Sequence, residues 1–329
     1  MKRILLLTTI ALAINIFYLQ GQSKPKVVAS ASMLLDIAKN IAGDEVDLAM
    51  IVPIGGDPHI HVPTPANARL VNKANLILVN GLTFEGWMNE LIENSGTTGK
   101  TITVTEGVEA LKSLAYHNSA DPHAWMVASN GIIYADNTRM ALIDLLPEKA
   151  VIFNQNFKNY KKELLELHEY IKTQIATIPS EKRILITSHD AFQYYGRAYG
   201  LRLEAIMGIS TDAEAQTSDI MRVNEAIRTH KVPSIFIEST INPKMMKQIA
   251  KDNDVSIGGQ LFADSLGDEA SPADTYINML KSNTDTIVKA LTGEKIITTE
   301  EESSNIPVYL GIAVFLLLAM YFGIKLMNK

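Results

Sequence analysis

The chain of 329 residues contains no cysteine, and this absence excludes several kinds of site. Without thiols the protein can form neither a disulfide framework nor a thiolate metal site. A lipoprotein anchor is excluded as well, because the lipid is attached to a cysteine at the signal cleavage site. Any bound metal would therefore be held by nitrogen and oxygen ligands, such as imidazole and carboxylate groups.

Basic clusters and a functional phosphate-binding loop are also missing. The net charge is -6 and no patch is rich in lysine and arginine, so a nucleic-acid partner is not expected. Residues 96–101 resemble a phosphate-binding loop, but Asn94 occupies the position of its first glycine, and we predict no ATPase activity in this chain. The hydrophobic content of 47% is sufficient for two folded cores.

Histidine is scarce, with seven in the chain, and three of them occur in similar local sequences. The tripeptide Asp-Pro-His appears at residues 57–59 and again at residues 121–123, and His189 is followed by Asp190. A metal-binding histidine must point a neutral nitrogen in a fixed direction, so its other nitrogen usually needs a hydrogen-bond partner, and a proline restrains the loop. Such pairs also mark ordinary turns. The repetition nevertheless favours a metal site that these histidines build from separate loops.

A carboxylate is the best candidate for a fourth ligand. Asp264 follows an apolar segment and precedes a turn of small residues, although an aspartate before a serine can also cap a helix. His61 is a weaker candidate, because its His-x-His spacing from His59 points both rings to the same side of an extended loop. The remaining histidines stand in polar contexts and are expected at the surface: His117, His168 and His230.

The N-terminus has the features of a secretory signal peptide. Lys2 and Arg3 precede an apolar run from Ile4 to about Tyr18. We predict a signal peptide over residues 1–24, which places the following domain outside the cytoplasm. An uncleaved N-terminal anchor is the alternative, because the cleavage site lacks a clear Ala-x-Ala pattern.

A second apolar segment lies near the C-terminus. No residue from Asn305 to Ile324 is charged, and a helix of that length spans roughly 30 Å, the thickness of a bilayer core. We predict a transmembrane helix over residues 306–325 and an acidic tether over residues 294–305, with Lys325 and Lys329 on the cytoplasmic side. A buried soluble helix is the weaker alternative.

The residues between these two segments alternate short apolar runs with amphipathic ones, which is typical of βα units. We predict two α/β lobes, over residues 25–146 and 180–293, with a ligand site in the cleft between them. Residues 147–179 carry apolar side chains at spacings of three and four, which predicts one long amphipathic helix of about 45 Å. This helix would join the lobes rigidly.

Four longer motifs surround the candidate ligands: Gly56-Asp57-Pro58-His59, Asp121-Pro122-His123-Ala124-Trp125, His189-Asp190-Ala191-Phe192 and Asp264-Ser265-Leu266-Gly267. Together they resemble the zinc and manganese substrate-binding proteins of ABC transporters, and the resemblance covers nearly all of residues 25 to 293. It implies two α/β lobes bridged by a rigid helix, with a dehydrated cation between them. Carried over position by position, the resemblance implies that the metal ligands are His59, His123, His189 and Asp264.

The sequence also departs from patterns of that family. Members that favour manganese often have a glutamate at the position of His189. Several zinc-specific members carry a long histidine-rich loop before the second motif, whereas residues 114–120 are short and contain only His117. Where the family usually has an aromatic residue two positions after its first ligand, this chain has His61. A C-terminal membrane segment is unusual for the family and would replace a lipid anchor.

These observations predict an extracytoplasmic protein that captures a divalent transition metal and delivers it to an ABC importer. Its partner would be a membrane permease with a separate cytoplasmic ATPase. Three imidazoles and one carboxylate suit zinc, so we favour zinc, followed by manganese and then iron(II). The alternatives are a secreted zinc hydrolase with Glu204 or Glu238 as its base, and a metal-stabilised adhesin. Four protein ligands would close the metal shell, which argues against catalysis.

Overall fold

Parallel strands connected by helices make up the first half of the protein. The computed structural model describes residues 23–112, 120–212 and 215–293. The first four strands form one parallel sheet in the order β2-β1-β3-β4. They are β1 Lys26–Ala29, β2 Asp47–Met50, β3 Leu76–Val79 and β4 Lys100–Thr103. The two inner strands, β1 and β3, are almost entirely buried, as their continuous apolar sequences predict.

The helices of this half are α1 Ser32–Ala42, α2 Pro65–Asn72, α3 Met88–Ser95 and α4 Ala128–Leu145. The sequence explains which face of α1 is buried and why α2 begins at Pro65. Helix α1 buries apolar side chains at spacings of three and four, among them Met33, Ile37 and Ile41. Helix α2 begins at Pro65 behind a capping box formed by Thr64 and Asn67.

The second half repeats the alternation with four more strands: β5 Ile184–Thr187, β6 Arg202–Ala205, β7 Ser234–Glu238 and β8 Ser256–Leu261. Strand β5 pairs with β6, β7 pairs with β8, both pairs are parallel, and β5 lies beside β7. The connecting helices are α6 Gln193–Tyr199, α7 Thr217–His230, α8 Lys244–Asp252 and α9 Tyr276–Thr292. The predicted α/β class is therefore confirmed.

One long helix, α5, connects the two halves. It extends over Ala150–Ala176, 27 residues, which corresponds to a length of about 40 Å. Short 3-10 turns stand on either side of it, at Pro147–Lys149 and Ser180–Lys182, so the helix is slightly shorter than predicted. It packs against α1 and α4 of the first half and against α6 and α9 of the second. The described residues up to Gly293 form one compact unit, and the predicted lobe boundaries within it stay a prediction.

Three predicted segments concern residues outside the described ranges. Residues 1–22 of the predicted signal peptide, the tether at residues 294–305 and the transmembrane helix at residues 306–325 all lie there. Within the described ranges, no helix combines the length and the apolar character needed to cross a membrane.

Candidate metal centre

The four candidate ligands lie on loops that follow the carboxyl ends of parallel strands. His59 lies in the loop after β2, and His123 lies between β4 and α4, just before a 3-10 turn at Ala124–Met126. His189 follows β5 by two residues, and Asp264 follows β8 by three. In open parallel sheets, this edge is where ligands bind, because the loops there converge from several strands. Residues distant in sequence are thereby brought to one point.

The ligand atoms of these residues all lie within 4.8 Å of one another. The Nε2 atoms of His59 and His123 are 3.2 Å apart. Asp264 places Oδ1 at 3.4 Å from Nε2 of His123 and Oδ2 at 3.1 Å from Nε2 of His189. The distance from Oδ2 to Nε2 of His59 is longer, 4.0 Å. Three imidazole nitrogens and one carboxylate thus surround a common centre, a donor set suited to a transition-metal ion.

Burial makes this arrangement costly without a cation. The side chains of His123, His189 and Asp264 are 0% exposed and that of His59 is 3% exposed. Among the described residues, none forms a hydrogen bond with Nε2 of His189 or with either carboxylate oxygen of Asp264. A buried polar group without a partner costs about 1–3 kcal/mol, and more if it is charged. A metal ion at the centre would satisfy these atoms.

Two of the three histidines have a carboxylate behind them. Nδ1 of His123 lies 2.7 Å from Oδ1 of Asp121, which also accepts a hydrogen bond from the backbone N–H of His123. Nδ1 of His189 lies 2.7 Å from Oε2 of Glu238, and Oε1 of Glu238 accepts the backbone N–H of His189. Such partners orient a ligand histidine and leave its Nε2 free for a metal. Both rings are therefore held with Nε2 toward the centre.

The partner of His189 is not the aspartate that follows it in sequence. The side chain of Asp190 accepts a hydrogen bond from the side chain of Gln193. Glu238, the last residue of β7, takes the place behind His189 instead. From its sequence context, Glu238 is a candidate only for the base of a hydrolase. The signal that could have identified it is an acidic residue at the end of a buried strand.

The carboxylates attract positive charge to the cluster. Burial opposes protonation of His123, but Asp121 and Asp264 outweigh it and raise the pKa of this ring to about 9. Burial likewise disfavours the charged form of His189, yet Glu238 and Asp264 hold its pKa well above the usual range. The histidines in turn overcome the burial of Asp264 and keep its pKa well below the usual range. Protons or a metal cation can supply the charge that these groups attract.

The other histidines contact other groups. His61 lies 3.3 Å from Oδ1 of Asn67, and its ring centroid lies 4.9 Å from that of Trp87. It is not part of the cluster of ligand atoms among the described residues. His168 contacts the hydroxyl of Tyr199, and His230 contacts the guanidinium of Arg202. His117 lies outside the described ranges.

The two glutamates considered as hydrolytic bases interact with other side chains. Glu204 forms ion pairs with Arg202 and Arg222 and is not part of the cluster of ligand atoms among the described residues. Glu238 lies behind His189 and is buried. Neither glutamate is placed to activate a water molecule in front of the cluster.

Comparisons with known proteins identify the family of this chain. The family described as zinc-uptake complex component A, periplasmic (ZnuA), matches residues 27–290. The manganese ABC transporter substrate-binding lipoprotein PsaA of Streptococcus anginosus is 37% identical over 276 residues, which cover 82% of this chain and 89% of that protein. The manganese-binding lipoprotein MntA of Halalkalibacterium halodurans is 36% identical over 266 residues, covering 81% and 88%.

A solved structure shares the same fold. The periplasmic zinc-binding protein TroA of Treponema pallidum has a TM-score of 0.78 and 34% sequence identity, and the match covers 82% of this chain and 99% of that one. The resemblance found in the sequence motifs is therefore confirmed, and so is the expectation that the chain is not an enzyme. The chain belongs to the ZnuA family, the metal substrate-binding proteins of ABC transporters.

Proposed function

We propose that the protein binds one divalent transition-metal ion through Nε2 of His59, His123 and His189 and the carboxylate of Asp264. The observation that carries the proposal is the convergence of these buried donor atoms, some of which have no other partner among the described residues. Asp121 and Glu238 support the assignment because they hold Nδ1 of their histidines and leave Nε2 to the metal.

Zinc is the metal that we propose first. Three imidazoles and one carboxylate form a typical tetrahedral zinc site, whereas manganese prefers more oxygen ligands and a higher coordination number. Manganese follows because PsaA and MntA are named for it, and iron(II) comes third. The test is the metal content of protein purified without chelator, followed by competition between zinc and manganese in solution. Manganese that displaces zinc at equal concentration would contradict the preference.

The bound metal is cargo in this proposal. The chain captures the ion outside the cytoplasm and delivers it to the membrane permease of an ABC importer, which uses a separate cytoplasmic ATPase. Family membership supports this role. The lobes proposed at residues 25–146 and 180–293, with the linking helix at residues 147–179, would each contribute two of the four ligands. Reversible release of the metal separates a transport role from an adhesin in which the metal is structural.

We further propose that residues 306–325 anchor the protein to the cytoplasmic membrane through a tether at residues 294–305. PsaA and MntA are named as lipoproteins, but this chain has no cysteine to carry a lipid. The test is expression with a stop codon after Gly293 in the native compartment. We expect release of the truncated protein into the soluble extracytoplasmic fraction with metal binding intact. A truncated protein that stays in the membrane would instead favour retention of the N-terminal segment.

A further inference from the structure

One short segment contacts both Asp-Pro-His loops. Residues 80–87, between β3 and α3, are called the support segment below. The side-chain amide of Asn80, at its start, donates a hydrogen bond of 3.0 Å to the carbonyl of Pro122. The indole N–H of Trp87, at its end, donates a hydrogen bond of 2.7 Å to the carbonyl of Pro58. Each acceptor is the peptide carbonyl immediately before a candidate ligand, His123 or His59.

The middle of the support segment reaches the cluster directly. Phe84 is fully buried, and its ring meets that of His59 edge to face, with 4.9 Å between the centroids. The same ring packs against Trp125 at 4.6 Å. Because a buried ring of this size leaves its neighbours little freedom to move, Phe84 limits the orientations available to the imidazole of His59.

The backbone of the support segment is strained. Gly81, Leu82 and Thr83 have φ values of 79°, 52° and 68°. Glycine adopts such values without penalty, but leucine and the β-branched threonine do not, since Cβ then crowds the backbone. Such a conformation persists only if surrounding interactions fix it.

Glu85 provides those interactions from inside the protein. Its side chain is buried, and Oε1 accepts hydrogen bonds from the backbone N–H of Asn80, at 2.7 Å, and from the hydroxyl of Ser30. Oε2 accepts the backbone N–H of Gly81 at 3.1 Å. Within the described ranges no cationic side chain forms a salt bridge with it. The carboxyl group of Glu85 thus links the two ends of the strained turn by hydrogen bonds and connects the turn to Ser30, the residue after β1.

We propose that Glu85 is a positioning residue of the metal centre. It does not contact the candidate ligands, and it acts by fixing the support segment, which in turn holds Pro58, Pro122 and the ring of His59. The inference rests on the proposed metal-binding function and extends it to a residue outside the ligand set. A site held in this way before the metal arrives loses less freedom on binding, so its affinity is higher.

The test is the substitution Glu85→Gln in the full chain, probed with cobalt(II) and with zinc competition. The glutamine amide has nearly the same shape as the carboxylate. In either orientation, however, its NH2 group faces the backbone N–H of Asn80 or of Gly81, which in the wild type donates to a carboxylate oxygen. We expect cobalt affinity to fall by about tenfold, the lower end of the effect of removing a group bonded directly to a ligand, because Glu85 acts on the ligands only through the support segment. The visible absorption of bound cobalt should change as well, because it reports ligand geometry. Glu90→Gln, an exposed glutamate on α3, is the matched control and should change neither.

Two further variants separate positioning from general stability. Ile77→Val shortens a buried side chain of β3 and should lower Tm without changing cobalt affinity or absorption. Trp87→Phe removes the hydrogen bond to Pro58 and keeps an aromatic ring, so it should lower affinity by a smaller factor and shift the absorption. This variant also carries the test if Glu85→Gln does not fold.

The outcomes are distinct. The positioning role is overturned if the Glu85→Gln protein keeps the cobalt affinity and absorption of the wild type. If Glu85→Gln does not fold, the same result in Trp87→Phe overturns it. Neither result affects the proposal that the wild type binds a metal. A wild-type chain that binds neither cobalt nor zinc would overturn the proposed function itself.

Discussion

The two Asp-Pro-His tripeptides have the same sequence but different surroundings. Oδ1 of Asp121 accepts hydrogen bonds from both the backbone and Nδ1 of His123. Oδ1 of Asp57 accepts only the backbone N–H of His59 among the described residues, and its Oδ2 accepts the hydroxyl of Thr211 instead. Asp121 therefore orients the ring of His123. Asp57 instead shapes the loop that carries His59 and joins it to the second half of the protein through Thr211.

This difference changes the charge of the two histidines. Asp121 and Asp264 overcome the burial of His123 and raise its pKa to about 9, while burial lowers the pKa of His59 to about 3. His59 is thus neutral and ready to bind a cation, whereas a metal must displace a proton from His123 at neutral pH. A repeated motif can signal a shared role in metal binding without implying equal contributions to it.

The largest effect expected is the loss of a ligand. His123→Ala removes a metal bond and leaves Asp121 and Asp264 without their buried partner. Zinc affinity should fall by more than the roughly 10–100-fold that is typical for an outer partner. Isothermal titration calorimetry with a competing chelator measures the zinc affinity of the variant and of the wild type. His61→Ala is the matched control, since His61 lies outside the cluster, and an equal loss in both variants would contradict the ligand assignment.

The two aspartates should differ in the same measurement. Asp121→Asn keeps the size of the side chain but weakens its interaction with Nδ1 of His123, so zinc affinity should fall by about 10–100-fold. Asp57→Asn should have a smaller effect, because among the described residues its carboxylate accepts from a backbone N–H and from Thr211 and not from a ring nitrogen. Equal losses of zinc affinity in the two variants would contradict the different roles assigned to Asp57 and Asp121.

The pH dependence of binding should reflect His123 more than His59. Below a pKa of about 9 the metal must displace the proton of His123, so affinity should decrease as the pH falls from this value. The same holds for His189, because Glu238 and Asp264 outweigh its burial and keep its pKa well above the usual range. The decrease is about tenfold per pH unit for each proton displaced. His59, with a pKa of about 3, adds to the competition only in strong acid. Zinc titrations across neutral pH, in buffers of different ionisation enthalpy, count the protons released. No release at neutral pH would contradict this account.

The smallest effect concerns the proton that His123 binds. Asp121→Asn removes a negative charge that raises the pKa of this ring, so the variant should release fewer protons and show a flatter pH dependence than the wild type. Proton counting on the two proteins under the same conditions tests this difference. An unchanged pH dependence would mean that Asp121 orients the ring without controlling its protonation.

Local motifs were sufficient to predict the candidate ligands, because each lies in a short sequence that has a recognisable form. The support behind His189 could not be found in this way. Glu238 comes from a different strand, 49 residues away, and only the fold brings it to the ring. Glu85 has no metal-site signal in sequence for the same reason, since it acts through hydrogen bonds to Asn80, Gly81 and Ser30.

The alternation of strands and helices was predictable because buried parallel strands are apolar runs, as in β3 and β5. Helix ends were less predictable. The apolar pattern of α5 continues into turns beside Pro147 and Pro179, which the periodicity does not distinguish from helix. Packing of α5 on both halves also depends on distant segments that no local pattern reveals.

The most direct test of the central claim is the crystal structure of the zinc-loaded protein, with the metal located by anomalous scattering at the zinc edge. The account predicts one peak per chain at the centre of the four side chains, with Nε2 of His59, His123 and His189 and an oxygen of Asp264 at about 2.0–2.2 Å. A zinc ion at another position, or a site at this position that lacks two of these ligands, would contradict it.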